Sequence, residues 1–398
     1  MLIKQALRGV GFCALGTLCG LAWGDDQPAP AAAAPAAAAP AAPAGPTLGK
    51  ILDNTGIVAS GYIDTSYAHA NKDINSPNFF SDRVFDSQSD SFTLHQVAIQ
   101  LAKQPKEGFG GLINFTAGTD VQVFESYPFA GGSSQFDVTQ AFGQYATGPW
   151  TVIAGKFATL QGSEVIWSPS NNNYSRSILF GAIPFTHTGV RTTYAATDTI
   201  NLIAGVNNGW DQVSAAQGSK TIELGATFNP IKPLNITVSD YAGNAESEVT
   251  GAPSSSAPTG SRNSFNFVGT YAVTDALTLG LEYLNVSQNN FTSLVDGSKI
   301  KAKYDGWALY GTYLITPAWR LALRGEQLDD KDGFHFGAND TKYTEVTATL
   351  SWLASDSFEL RGEIREDHAT NTMFADSASQ PFTSKDLTTY AIEGLFKF

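Results

Sequence analysis

Residues 358–365 of the 398-residue chain read Phe-Glu-Leu-Arg-Gly-Glu-Ile-Arg, and they show the clearest structural pattern in the sequence. Apolar residues and glycine alternate with glutamate or arginine, so a strand would carry the two kinds on opposite faces. Segments 319–326 and 221–228 repeat this alternation. From Gly56 to Phe398 no stretch has the period of an amphipathic helix. The sequence therefore predicts an all-β protein.

The connections between the predicted strands alternate between short and long. The short ones contain turn-forming residues and are followed by an apolar or aromatic residue, as Thr316-Pro317-Ala318 is followed by Trp319. Seven such turns alternate with eight longer connections at 71–90, 125–136, 163–185, 210–219, 245–261, 290–300, 331–340 and 371–385. These fifteen connections predict about sixteen strands.

Strand length and aromatic positions favour a membrane barrel over a soluble β protein. The predicted strands run for about 9–13 residues, against roughly 5–6 in an average globular protein. Trp150, Trp319 and Phe358 lie where strands leave tight turns, which is typical of an interfacial aromatic girdle. Because an open sheet edge in lipid would leave backbone groups unsatisfied, the sheet has to close. We therefore expect a transmembrane antiparallel β-barrel with short periplasmic turns and long extracellular loops.

Composition excludes several other classes of protein. Charged residues make up 15% of the chain, against roughly 25% in soluble domains. No run beyond the N-terminus approaches the ~20 apolar residues that a membrane helix needs. A net charge of −13 disfavours nucleic-acid binding, and two cysteines exclude a disulfide scaffold.

The N-terminus predicts export from the cytoplasm. Residues 1–24 combine Lys4 and Arg8 with an apolar run and a small-residue cleavage site, which indicates a secretory signal peptide. Residues 25–55 form an Ala/Pro-rich periplasmic linker, interpreted as a disordered tail in preference to a spacer toward a periplasmic partner. The barrel is then expected over residues 56–398.

Several motifs resemble those of a known family. They are Gly155-Lys156-Phe157, Gly162, Glu164, Asn173-Tyr174-Ser175-Arg176-Ser177 and the segment from Pro184 to Arg191. With these motifs the chain resembles bacterial outer-membrane barrels, most closely the putative β-barrel porin-2 family. The resemblance implies passive diffusion of small hydrophilic solutes across the outer membrane of a Gram-negative bacterium, and it makes a homotrimer an expectation. The alternative is a plugged or non-conducting barrel with a structural, adhesive or partner-binding role.

The last strand resembles the C-terminal signal that the barrel-assembly machinery reads. Its alternating apolar residues end in a phenylalanine, and the residues assigned to the signal are Tyr390, Ile392, Phe396 and Phe398. Outer-membrane lipid and lipopolysaccharide are the other expected partners. The acidic residues of the long loops are interpreted mainly as a solvated surface, with divalent ions that bridge lipopolysaccharide as the alternative.

The long connection 163–185 is the candidate pore constriction. In general porins the loop at this place folds into the lumen, so the resemblance implies the same here, and an ordinary external loop is the alternative. Polar groups of both signs in a narrow section can orient water and dipolar solutes. The constriction residues assigned on this basis are Glu164, Trp167, Asn171, Asn172, Asn173 and Arg176.

Charged residues near the middle of the strands are expected to line a water-filled lumen. An Arg or Lys that faced lipid at the bilayer midplane would cost roughly 2–4 kcal/mol. The equally weighted alternative is a salt-bridge ladder that braces the wall, in which Glu359 and Glu363 satisfy two arginines. The lumen-lining set is Lys156, Arg191, Glu282, Arg324, Glu326, Arg361, Glu363, Arg365 and Glu393.

Catalysis is disfavoured by the sequence. The five histidines are scattered, and neither His-Glu-x-x-His nor Gly-x-Ser-x-Gly occurs. No metal site and no cofactor is expected. One irregularity stands out in the second strand, where the alternation changes phase near His95-Gln96 and predicts a β-bulge.

Overall fold

The computed structural model describes residues 54–74, 83–129, 134–215, 220–244, 260–377 and 382–398. The predicted signal peptide, and the predicted linker as far as residue 53, lie outside the described residues. None of the helices in the described ranges is both long enough and apolar enough to cross a membrane.

Sixteen antiparallel strands form a closed barrel in which each strand pairs with its neighbours in sequence. The strands are β1 (Val58–Ala70), β2 (Ser91–Lys103), β3 (Gly108–Ala117), β4 (Phe136–Thr147), β5 (Trp150–Ala158), β6 (Thr186–Thr197), β7 (Ile200–Asn207), β8 (Thr221–Ile231), β9 (Leu234–Asn244), β10 (Ser261–Ala272), β11 (Leu277–Thr292), β12 (Lys299–Thr316), β13 (Trp319–Asp332), β14 (Asn339–Ser355), β15 (Phe358–Ala369) and β16 (Asp386–Lys397). The first and last strands close the barrel, with Tyr62 opposite Lys397 and Ala70 opposite Thr389. The predicted barrel and its strand number are confirmed.

Short and long connections alternate around the barrel. Seven connections have two to four residues and eight have six or more, so the two ends of the barrel differ, and we call them the short-turn end and the long-loop end. Some boundaries differ from the prediction. The β3–β4 connection starts at residue 118, because Val121–Phe124 form a helical turn that buries two apolar side chains. The β11–β12 hairpin continues to Thr292 opposite Lys299, which shortens that loop.

The predicted bulge lies in β2. Asp64 of β1 is opposite Gln96, but the next residue, Thr65, is opposite Leu94. His95 is therefore the extra residue on the bulged strand, and both His95 and Gln96 are buried. This placement confirms the phase change that the sequence indicates.

The two faces of the sheet differ as the alternation predicts. Leu350, Ile364 and Ile392 are exposed on the outer face, whereas the arginines and glutamates between such positions are buried inside. Trp319 pairs with Trp352 close to the short-turn end, and both rings are exposed. The outer face therefore has the apolar surface and the aromatic residues that a barrel in lipid requires.

The long-loop half of the barrel contains a buried apolar cluster. Val121 and Phe124 from the β3–β4 connection pack into one cluster with the helical turn Ile178–Gly181. Inward-facing residues of the wall, such as Leu284 and Tyr304, complete this cluster. The inward face of the wall also carries buried charged side chains, such as Asp367 near the end of β15.

Candidate functional site: the segment inside the barrel

The β5–β6 connection, residues 159–185, lies inside the barrel, and we call it the inserted segment. It starts four residues earlier than the sequence predicts, because β5 ends at Ala158 and the next backbone N–H groups turn inward. The Leu160 N–H donates to the Tyr241 hydroxyl of β9 at 2.9 Å. On the opposite wall, Ser168 Oγ donates to Asp64 of β1 at 2.5 Å. The segment therefore reaches both sides of the barrel interior.

Two wall carboxylates hold the backbone of the inserted segment. Glu363 accepts the N–H groups of Tyr174 and Ser175 at 2.7 and 3.0 Å. Glu326 accepts the first two N–H groups of the helical turn Ile178–Gly181 at 2.7 and 3.1 Å. A carboxylate at a helix N-terminus satisfies donors that have no partner inside the helix. These two glutamates therefore position the segment and present no free charge to the lumen.

Two wall arginines, on the strands either side of β14, bind the same segment. Arg361 donates to the Asn171 carbonyl at 2.8 Å and pairs with Glu393 at 3.0 Å. Arg324 pairs with Glu164 of the segment at 2.8 Å and with Glu345 of β14 at 3.0 Å. All of these charged side chains are buried. Their partners are wall residues and the segment, as in the bracing alternative.

Arg365 departs from the pairing that the bracing alternative assigns to it. That alternative pairs Arg365 with Glu363, but Arg365 donates to Asp367 at 2.8 Å and to the Arg176 carbonyl at 2.5 Å. Glu363 instead accepts the N–H groups of Tyr174 and Ser175 in the inserted segment. The other assignment holds, since Arg361 Nε donates to Glu359 at 2.7 Å.

The candidate constriction residues divide into buried and accessible groups. Arg176 is buried, donates to the carbonyls of Val165 and Ile166 at 3.0 Å, and lies 5.3 Å from the centre of the Phe85 ring. Glu164, Asn171 and Asn173 are buried as well. Asn172 is exposed, and Trp167 is half-buried with its indole N–H donating to Asn114 at 3.1 Å. Only the last two, Asn172 and Trp167, have substantial accessible surface.

The remaining predicted lumen residues lie on other parts of the wall. Lys156 pairs with Asp137 at 2.9 Å, and both side chains are almost fully buried. Arg191 donates to Glu223 at 2.9 Å. Beside the first pair, burial and the nearby Asp137 carboxylate raise the pKa of Glu125 in the β3–β4 connection. The structure thus places each positive charge of the predicted lumen-lining set against a carboxylate.

A buried polar cluster around His95 joins the wall to two connections, and sequence reasoning missed it. His95 Nδ1 lies 2.8 Å from Asp120 of the β3–β4 connection, and Nε2 lies 2.8 Å from Ser66 Oγ. The Tyr174 hydroxyl of the inserted segment lies 3.1 Å from the same Nε2. The one sequence signal for this cluster is the β-bulge, which turns His95 inward.

Two cavities flank the inserted segment in the short-turn half of the barrel. One of about 330 Å³ lies between Trp167 and the β1–β3 wall, lined by Tyr62, Gln100 and Asn114 among others. The other, of about 190 Å³, lies between Asn172 and the β10–β12 wall. Each cavity is next to one of the two accessible candidate constriction side chains.

Comparison with known proteins identifies similar barrels. The family model described as "Putative beta-barrel porin-2, OmpL-like" matches residues 56–398. No curated protein sequence matches the chain. Among solved structures, the outer membrane channel DcaP of Acinetobacter baumannii superposes with a TM-score of 0.58 at 12% identity, over 86% of this chain and 97% of that chain.

Two further structures have the same architecture. The anion-selective porin from Comamonas acidovorans has a TM-score of 0.59 at 11% identity, over 86% of this chain and 99% of that chain. OmpT of Vibrio cholerae, an outer-membrane protein, has a TM-score of 0.56 at 11% identity, over 86% and 97% of the two chains. At identities this low, the superpositions show a shared fold and nothing more.

Proposed function

Because the chain belongs to the putative β-barrel porin-2, OmpL-like family, it is an outer-membrane channel for passive diffusion, and we propose that small hydrophilic solutes pass beside the inserted segment. The observation that carries this proposal is the position of residues 159–185 across the barrel interior, bonded to β9 on one side and to β1 on the other. A segment held in this way narrows the cross-section that a solute can use.

The accessible faces of the constriction are assigned to Trp167 and Asn172. These side chains border the two cavities of the short-turn half, whereas Glu164 and Arg176 are buried in bonds to the wall and to the segment. The role of the charged wall residues is then to fix the segment in place. Removing such a residue would change the shape of the constriction more than its charge.

The remaining features of the proposal concern export and assembly. Residues 1–24 direct the chain across the inner membrane and are cleaved, and residues 25–55 link to the barrel in the periplasm. Tyr390, Ile392, Phe396 and Phe398 are exposed on the outer face of the barrel, as a signal for the assembly machinery requires. The proposal also includes contacts between the barrel and lipopolysaccharide and assembly into a homotrimer. It assigns no catalytic activity to the chain.

Planar-bilayer recording tests the channel. Purified protein is expected to give discrete ohmic current steps, and Asn172→Trp is expected to lower the step size because it adds bulk to the accessible face of the segment. The control Val295→Trp, at an exposed position of the β11–β12 connection at the long-loop end, should leave the steps unchanged. A folded barrel that passes no current, or equal steps from both variants, would contradict the proposal.

A further inference from the structure

The smaller of the two cavities, which we call the Asn172 cavity, is walled by the inserted segment on one side and by β10–β12 on the other. Thr270, Thr278 and Thr312 are among its lining residues, and Thr278 is directly opposite Thr312 in the β11–β12 pair. Side chains that face each other across antiparallel strands have Cβ atoms about 4.5–5.5 Å apart. The wall of the cavity therefore presents closely spaced hydroxyl groups.

Two of these hydroxyls have no protein partner. In the described part of the chain, the side chains of Thr270 and Thr278 make no hydrogen bond, and both are half-buried. Thr312 accepts from the Asn172 amide at 3.1 Å, which leaves the other N–H of that amide for a solute. The cavity thus offers both donors and acceptors.

Among the described residues, no unpaired charge lines the cavity. Glu164 is the one acidic side chain in its lining, and its two carboxylate oxygens accept from Arg324 at 2.8 Å and from the Ser177 N–H at 2.6 Å. Every other lining residue is neutral. An ion in this cavity would leave water without gaining a counter-charge, whereas a neutral polar solute would exchange water bonds for protein bonds.

An aromatic ring forms part of the same wall. Tyr310 packs across Gly280, where a Cβ atom would come within 3.2 Å of the tyrosine side chain, so the glycine leaves room for the ring. The cavity holds about 190 Å³, the space of roughly six waters at their liquid volume of about 30 Å³ each. That space is suited to a small molecule with several hydroxyl groups.

We propose that the Asn172 cavity is a binding subsite for a neutral polyhydroxylated solute, a small polyol or a monosaccharide, on the path through the barrel. The proposal rests on the function proposed above, because a subsite beside the constriction is useful when solutes pass it. Hydrogen bonds to hydroxyls and an amide are individually modest, so binding is weak enough for the solute to leave.

The first test measures block of the ionic current by mannitol and by glucose. A solute that occupies the subsite reduces the conductance in a saturable way, whereas trimethylglycine, which has no hydroxyl group, reduces it only in proportion to viscosity. Thr270→Val and Thr278→Val keep the shape and remove one hydroxyl each. Each is expected to weaken the block about two- to tenfold, the loss that corresponds to one hydrogen bond.

The matched control is Thr237→Val in β9, which pairs with Val268 on the inner wall but does not line the cavity. It should leave the block unchanged. If mannitol and glucose both reduce the conductance without saturation, or if the cavity variants and the control have equal effects, the subsite is overturned while the channel stands.

Equilibrium dialysis of labelled mannitol against the detergent-solubilised barrel separates the two proposals. If mannitol binds and Thr278→Val weakens the binding, the subsite is supported even when no current is found. The lack of current would then contradict the channel and not the subsite. If the barrel conducts but mannitol neither binds to it nor blocks the current, the subsite is overturned and the channel stands.

Discussion

Arg324 of the barrel wall and Glu164 of the inserted segment form an ion pair at 2.8 Å, with both side chains buried. The same guanidinium binds Glu345 of β14 at 3.0 Å and the Ser175 carbonyl at 2.7 Å. One wall side chain therefore attaches the segment at two points while it pairs with the neighbouring strand. This contact therefore helps to fix the position of the inserted segment inside the barrel.

Replacing Arg324 by Met should destabilise the barrel and release the segment. The change leaves Glu164 and Glu345 buried without their cation, and breaking a buried pair in this way costs about 3–5 kcal/mol. Urea unfolding should report the loss, and the single-channel current should become noisier because the segment is less firmly held. Arg320→Met is the control, since that arginine is partly exposed and should cost less. Equal losses from the two variants would contradict the assignment.

The facing of β13 gives a second prediction. Leu323 is exposed on the outer face, while Arg324 next to it is buried inside. Leu323→Arg places a charge toward lipid and should cost roughly 2–4 kcal/mol near the midplane, with a lower yield of folded barrel. Ser357→Arg adds the same charge in a short turn and should fold normally. The yields of folded barrel in lipid vesicles test this prediction. Equal yields for the two variants would contradict the outward facing of Leu323.

The barrel could be predicted from the sequence because its causes are local and periodic. The alternation in residues 358–365 indicates which side chains face outward, and the phase change near His95 locates the bulge. The course of the inserted segment has no such signal. Glu363 binds the Tyr174 N–H across 189 positions, and every residue except proline supplies an N–H. Glu363 and Asp367 are equally close to Arg365 in sequence. The alternation could not show that Asp367 pairs with Arg365 while Glu363 accepts the Tyr174 N–H.

The cluster around His95 should stabilise the inserted segment. His95→Ala removes one partner of the buried Asp120 carboxylate and a polar partner of the Tyr174 hydroxyl. An unsatisfied buried group of this kind costs about 1–3 kcal/mol, and more when it is charged. Urea unfolding measures the loss, and proteolysis within residues 159–185 should become faster.

His368→Ala is the matched control for this variant. His368 lies 2.6 Å from Asp386, but both side chains are more than half exposed, so the pair should contribute less than about 1 kcal/mol. A stability loss for His368→Ala as large as that for His95→Ala would show that burial of the cluster is unimportant.

The attachment of the β1–β2 connection should resist mild acid. Arg83 binds both Asp86 and Asp367, and all three side chains are buried. Burial alone would raise the pKa of Asp86, but the charges of Arg83 and Arg365 outweigh it and hold that pKa below its ordinary value of 3.8. A carboxylate with a lowered pKa contributes stability above its ordinary pKa and loses it only as the pH falls through the lowered value.

Acidification from pH 7 to about pH 5 should therefore leave this connection in place, whereas Asp86→Asn should weaken it at both pH values. The free energy of unfolding of the two proteins should differ by a constant amount above about pH 4 and converge below it. Asp90→Asn is the control, because Asp90 lies in the same connection but its side chain is largely exposed. A difference that already shrinks between pH 7 and pH 5 would show that Asp86 takes up its proton in that range, and that Arg83 does not keep it ionised.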